Sequence, residues 1–278
     1  MTYLRLRQLC LVARELSPVT GDLCHVLGLQ VCHRDPGVER FGLHNALMRI
    51  GSAFIEVVAP LPGPRGENTA ATRHLDRQGG DSGYMVILDC DDLAPWRAHM
   101  ARVGVREAAY LEVPGNPKPL AYTGLQLHPR DTGGALLEIN HSPGGTPLDG
   151  AYWPAGPHWQ SATDCAWGTT LGGATLQSPE PAKLAARWSE VLQRPVLQDG
   201  GAHGIWLDNA MRLRFSAPAA GQAAGLTGAS LRWRGARAGF EAVFAGMAER
   251  ARNCLVDEAR YAVRIGGVWW RCEAAPFE

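Results

Sequence analysis

The sequence lacks an excess of charge of either sign. In 278 residues, 27 Lys and Arg balance 27 Asp and Glu, so no basic field draws nucleic acid and no acidic tail is present. It also lacks any run of about 18 uninterrupted apolar residues, which argues against a membrane span. The N-terminal stretch MTYLRLRQLCLVARE carries Arg5, Arg7 and Arg14 through its apolar part, the wrong pattern for a signal peptide. Seven cysteines are an odd number and none falls in a C-x-x-C pair. That excludes a disulfide framework and a cysteine metal site, and it fits a reducing cytoplasm. Several of these cysteines sit in apolar strand-like runs, where a free thiol behaves as a small hydrophobe. Charged residues are only 19%, while 46% are hydrophobic, enough for one large or two medium cores. The expected partner is a small molecule, with no nucleic acid and no membrane; oligomeric state, a homodimer included, is left open.

What is present is one order of elements, written four times. The first copy runs from the Leu-rich LRLRQLCLVA into SPVTGDLCHVLGL, where Ser17 can cap, Pro18 suits a first helical turn, and Val19, Leu23, Val26 and Leu27 share a face. Two strand-like runs follow, FGLHNALMRIG and SAFIEVVAP, joined at Gly51-Ser52. The second copy has GYMVILDC, a helix capped by Asp91 or Asp92, then LAYTGLQLHP and ALLEINH. WGTTLGGATLQ opens the third and GASLRWRG the fourth, which ends in RYAVRIG and GVWWRCEA. Strand-helix-strand-strand-strand units of roughly fifty to seventy residues do not describe a Rossmann sheet, whose strands alternate with helices. The Gly-, Pro- and Trp-rich stretch SPGGTPLDGAYWPAGPHWQSATD separates the second copy from the third and predicts a domain boundary. The expected division is 1–145, a linker over 146–164, and 165–278. A short helix is predicted over Thr69 to Gln78.

One residue in this pattern is out of place. In RDTGGALLEINHSPGG, Glu138 sits among Ala135, Leu136, Leu137 and Ile139 after a Gly133-Gly134 turn, and a carboxylate there is costly unless paired. With that hairpin and its strand acid, the chain resembles the vicinal oxygen chelate superfamily, the glyoxalase and bleomycin-resistance-like proteins. Their closing hairpin is an Asp-Pro-x-Gly turn followed by a strand carrying Glu; here Thr132 stands in place of the Pro. The resemblance covers nearly the whole chain. It implies an α+β fold of two glyoxalase-like domains, each a pair of βαβββ modules forming an incomplete barrel around a cavity.

It also implies where a metal would sit, on the first and last strands of each module. Carried over, these positions are Gln8, seven residues before Glu15; Glu56 in FIEVV; Tyr84, seven before Asp91; and Glu138. Gln8, Glu56 and Glu138 are then ligands to one divalent ion, with Mn, Mg, Fe, Co, Ni and Zn all in play and oxygen donors favouring the harder ions. Tyr84 departs from the histidine such sites commonly hold, and a neutral phenol is a poor ligand for Zn or Ni. Read without the resemblance, Gln8 is a strand residue bonding its neighbours and Tyr84 a packed aromatic, with no metal at all. His128 and His44 are candidate ligands or acid-base groups, and equally rim histidines. If Gly51-Ser52 is a two-residue hairpin, Arg49 lies opposite Phe54 on the Glu56 face, with Asn45 at the same parity and opposite to His44, and can hold an anionic substrate.

The second module pair carries Arg214 and Arg271 where the first has Glu56 and Glu138. Two guanidiniums cannot host a cation, so that half is structural, or an anion or aromatic pocket lined by Trp233, Trp269 and Trp270. Ring-cleaving extradiol dioxygenases also have four modules, but with a His, His, Glu iron site in the second pair that has no counterpart here. The leading expectation is a metal-dependent lyase or isomerase acting on vicinal oxygens, with Glu138 or Glu56 moving the proton. The alternatives are a non-catalytic protein that sequesters a drug-like or aromatic molecule, and iron-dependent dioxygenation.

Overall fold

The computed structural model describes residues 3–115, 120–219 and 221–274. The first half of the chain is β1 (Leu4–Val12), α1 (Leu16–Leu27), β2 (Val31–His33), β3 (Leu43–Ile50), β4 (Ala53–Pro60), α2 (Ala70–Gln78), β5 (Ser82–Cys90), α3 (Ala94–Arg102), β6 (Glu107–Pro114), β7 (Leu120–Leu127), α4 (Pro129–Thr132) and β8 (Leu136–His141). The second is β9 (Thr169–Gln177), α5 (Pro181–Leu192), β10 (Leu197–Asp199), β11 (Ala202–Trp206), β12 (Arg212–Ser216), β13 (Gly225–Trp233), α6 (Arg237–Arg250), β14 (Leu255–Asp257), β15 (Ala262–Ile265) and β16 (Val268–Ala274). The fold is α+β. Each half makes one eight-stranded sheet, in the orders β2-β3-β4-β1-β5-β8-β7-β6 and β10-β11-β12-β9-β13-β16-β15-β14. The second order is the first with every strand number raised by eight. Among the described residues no helix is long and apolar enough to cross a membrane.

Local chemistry accounts for the elements. Val19, Leu23, Val26 and Leu27 form the buried stripe of α1, which stops at Gly28 with φ 67°. The helix begins at Leu16 with Glu15 preceding it and no side-chain cap, so Ser17 lies inside the first turn instead of capping it. The short helix expected over 69–78 is α2, where Thr69 Oγ1 accepts from Thr72 N at 3.0 Å. Asp92, and not Asp91, turns the chain into α3 by accepting from Ala94 N at 3.0 Å. Gly51 and Ser52 connect β3 to β4, whose register runs Ile50↔Ala53 and Arg49↔Phe54.

The sheets follow the two module pairs, but the compact units do not. One unit comprises residues 1–9, 84–153 and 173–226, and the other 10–83, 154–172 and 227–278. In the first, Leu4 N donates to Asp208 Oδ2 at 2.6 Å, Asp208 N to Leu4 O at 3.0 Å, and Asn209 Nδ2 to Leu6 O at 2.9 Å. Arg187 of α5 donates to the carbonyls of Asp131 and Val103, and Trp188 Nε1 to that of Gly133. Trp188 also meets Phe215 edge-on, with centroids 5.7 Å apart. In the second unit Trp167 Nε1 donates to Val26 O and Cys165 Sγ to Leu27 O. Gly28 is required there: a Cβ on it would lie 3.0 Å from that of Ala166.

Candidate functional site

The Glu138 side chain is where the first compact unit concentrates its polar groups. β7 runs antiparallel to β8 with Gln126↔Glu138 and Gly124↔Asn140, and β5 runs parallel to β8 with Ile87↔Glu138 and Asp89↔Asn140. Directly paired residues share a face, so Tyr122, Gly124, Gln126, Glu138, Asn140, Ile87 and Asp89 lie together. Glu138 is 4% exposed. Its Oε1 accepts from Tyr122 Oη at 2.5 Å and Asn140 Nδ2 at 3.3 Å, and its Oε2 from Gln126 Nε2 at 3.0 Å. Gly124 makes the first of these bonds feasible, because a Cβ there would collide with the Tyr122 hydroxyl.

The network continues below Asn140. Tyr152, from the linker, is buried and donates to Gln8 Oε1 at 3.1 Å, and the fully buried Arg7 lies 5.1 Å from its ring. Arg5 makes a two-pronged bond to Asp89, Nε to Oδ1 at 3.1 Å and Nη2 to Oδ2 at 2.6 Å. It spends its other donors on the carbonyls of Gly145 and Thr146, while Arg7 Nε stands 3.8 Å from Asp89 Oδ2. Burial pushes both phenols well above the usual tyrosine value; for Tyr122 the Glu138 charge adds to the rise. Both hydroxyls therefore remain protonated donors across the neutral range.

The other predicted site residues fall elsewhere. Tyr84 is one residue out of phase with Met85 and Ile87, so it projects from the opposite face of β5, and Ile87 stands beside Glu138 in its place. In the second unit Glu56 is buried and accepts from Asn45 Nδ2 at 2.6 Å, and Asn45 Oδ1 accepts from Asp35 N at 2.8 Å. Asn45 is thus a positioning group for Glu56 and the chain before β3. Arg49 shares the Glu56 face but donates to the carbonyls of Gly51, Gln160 and Ala162 and lies 5.4 Å from the Trp159 ring. It clasps the linker and does not present its guanidinium to a substrate. His44 pairs with Ala59 on the opposite face from Glu56. His128 caps α4, accepting from Arg130 N at 3.3 Å with Arg106 Nη2 3.5 Å away; it is a rim residue.

In the second sheet, β13 runs parallel to β16 with Gly228↔Trp269 and Ser230↔Arg271, and β15 antiparallel to β16 with Arg264↔Trp269 and Ala262↔Arg271. Of the three tryptophans expected to line a pocket, Trp270 is fully buried and pairs with Ala229, and Trp233 packs against Gly239 of α6. Only Trp269 lies on the face with Arg271. Arg214 is in the other unit, on β12, paired with Thr175 and Gly204.

No family model and no curated protein matches the sequence. Among solved structures, a variant of 4-hydroxymandelate synthase from Streptomyces coelicolor aligns with 100% of this chain and 95% of its own, at TM-score 0.67 and 14% identity. The chain shares the fold of that synthase over its whole length. A hypothetical protein from Staphylococcus aureus is similar over 98% of this chain and 99% of its own, at TM-score 0.63 and 12% identity. A methylmalonyl-CoA epimerase from Mycobacterium tuberculosis aligns with half of the chain, 50% here and 87% there, at 22% identity and TM-score 0.42.

The resemblance noted in the sequence raises the question of whether Gln8, Glu56 and Glu138 suit a divalent ion. Among the described residues, no group of three or more His, Cys, Asp and Glu is arranged to hold one. More tellingly, the oxygens that would ligate are already acceptors. Gln8 Oε1 accepts a hydrogen bond from the Tyr152 hydroxyl, and Glu138 accepts three, two on Oε1 and one on Oε2. A cation at Glu138 would compete with those three donors for the same two oxygens. The donor set does not fit a metal in this arrangement.

Sequence reasoning missed Tyr122, Gln126, Asn140 and Tyr152. The first three had a signal, since Tyr122, Gly124 and Gln126 alternate on one strand as Glu138 and Asn140 do on the next. Tyr152 had none: it comes from an irregular linker.

Proposed function

We propose that the chain is a small-molecule-binding protein of the vicinal oxygen chelate fold that works without a metal held by Gln8, Glu56 and Glu138. The observation that carries this reading is the ring of donors around Glu138: Tyr122, Gln126 and Asn140 occupy both oxygens that a cation would need. Tyr152 at Gln8 and the Arg5–Asp89 pair support it further, because they are buried polar pairs of the chain's own making. Such a network favours a fixed shape over an open coordination sphere. The partner on this reading is a small molecule, and sequestration is the activity.

The competing reading is a metal-dependent lyase or isomerase acting on vicinal oxygens, or an iron dioxygenase. Its support is the fold, which the chain shares with a synthase over its whole length; a fold hosts many activities, so the site must decide. The test is elemental analysis of the full chain purified without chelator or added metal, with thermal melts before and after chelation. Substoichiometric metal and superimposable melts are expected. One tightly held ion per chain, with a melt that falls on chelation, would replace this reading with the metal-dependent one.

A further inference from the structure

The second sheet offers a face built differently from the first. Cys272 Sγ touches Met247 Sδ of α6 at 3.5 Å, so the residues alternating with Cys272 on β16, Trp269, Arg271 and Glu273, project away from that helix. Their cross-strand partners follow from the register. Trp269 is flanked by Arg264 on β15 and Gly228 on β13, and Arg271 by Ala262 and Ser230. Two arginines and an indole therefore rise around Gly228, Ser230 and Ala262, three of the smallest side chains available. Paired strands lie about 5 Å apart and alternate residues about 7 Å apart along a strand. The spacing of positions on this face is therefore comparable to the width of an aromatic ring system.

Its charge is predominantly positive. Arg264 and Arg271 are exposed and Trp269 is half-buried. Among the described residues neither guanidinium takes an ion pair or a side-chain hydrogen bond. The nearest acid in register, Glu273, stands opposite Arg232. Each guanidinium presents a planar fork of donors suited to a carboxylate, and the indole offers a flat face to an aromatic ring.

We infer that this face binds a small aromatic carboxylate, its ring against Trp269 and its carboxylate between Arg264 and Arg271. The inference rests on the small-molecule-binding reading and names the ligand class and its place. The ring requirement separates it from a general anion site, and the charge requirement from a greasy patch.

Calorimetric titration of the full chain with 2-naphthoate, 2-naphthamide and inorganic phosphate tests it. One naphthoate per chain is expected, with naphthamide and phosphate each weaker by about tenfold or more. Arg264→Gln and Arg271→Gln should each weaken naphthoate by about tenfold, the loss expected for one charge-assisted hydrogen bond. Trp269→Leu should do the same, Arg264→Lys should lose part of the affinity because an ammonium keeps the charge without the planar fork, and Arg252→Gln, exposed elsewhere in the same unit, should retain all of it. The melts of all variants should match the wild type. No naphthoate binding, equal binding by the amide or by phosphate, or unchanged binding in the Arg264, Arg271 and Trp269 variants would each overturn the inference. The metal analysis described above is independent of this result. A tightly held ion would overturn the broader reading whatever naphthoate does.

Discussion

At the strand position after each Gly-Gly turn, the first sheet carries Glu138 and the second Arg271. Each lies five residues beyond the first glycine and is paired in parallel with a neighbouring strand, although only the first connection carries a helix, α4. The surroundings are opposite. Glu138 is 4% exposed inside a closed set of donors, whereas Arg271 is exposed beside small residues. A repeated topology thus fixes where a side chain stands and not what it does. Burial obliges the first sheet to supply the hydrogen bonds of Glu138 from its own side chains. Exposure lets the second keep charges uncommitted, because water solvates them until something better arrives.

The most severe way to break this contrast is at Asp89. Asp89→Ala leaves the buried Arg5 and Arg7 guanidiniums without their carboxylate, and a loss of about 3–5 kcal/mol in urea unfolding is expected; a loss under 1 kcal/mol would mean the network is solvated. Gly124→Ala forces the Tyr122 hydroxyl off Glu138, with an expected cost of about 1–3 kcal/mol from overpacking and the lost bond. Chemical denaturation of this variant beside Tyr122→Phe separates the two contributions.

Alkali sharpens the comparison without mutation. Tyr122 and Tyr152 have folded values raised well above 10, so the neutral phenols favour the folded state. Their contribution is intact below pH ~10 and is lost as pH rises from there toward the folded values, at about 1.4 kcal/mol per pH unit for each. Absorbance titration near 295 nm should find two of the six tyrosines silent until the chain unfolds. The smallest effect belongs to the second sheet: Arg264→Gln and Arg271→Gln should each change stability by less than ~0.5 kcal/mol. A larger loss would show that these arginines are structural after all.

How much of this the sequence discloses depends on whether a feature is local. The module order, the Gly51-Ser52 turn, α2 and the isolated acid at Glu138 are all written within a few residues. Tyr84 shows where such reading slips. Counting seven back from Asp91 selects Tyr84, but Asp92 makes the turn into α3, and counting from it selects Met85. A slip of one residue reverses the face of the whole strand. His128 was legible in hindsight, because Pro129 after it is a helix-start signal and a capping role follows. The partners of Glu138 required the β7–β8 register across α4. Tyr152 required the path of an irregular linker, and no periodicity encodes that.

The clip between Leu4 and Asp208 has a consequence for how the molecule is made. β1 is buried at all nine of its positions, and it is synthesised before every other strand of its sheet. The compact unit to which its first residues belong ends at Leu226, so at ordinary rates of synthesis that strand waits on the order of ten seconds or more for its last partners. During that wait an apolar strand with open edges is a ready template for mispairing. Arg5 and Arg7, which later anchor Asp89 and stand against Tyr152, keep charge within the nascent segment meanwhile. The residues that close the finished interior also guard the unfinished chain.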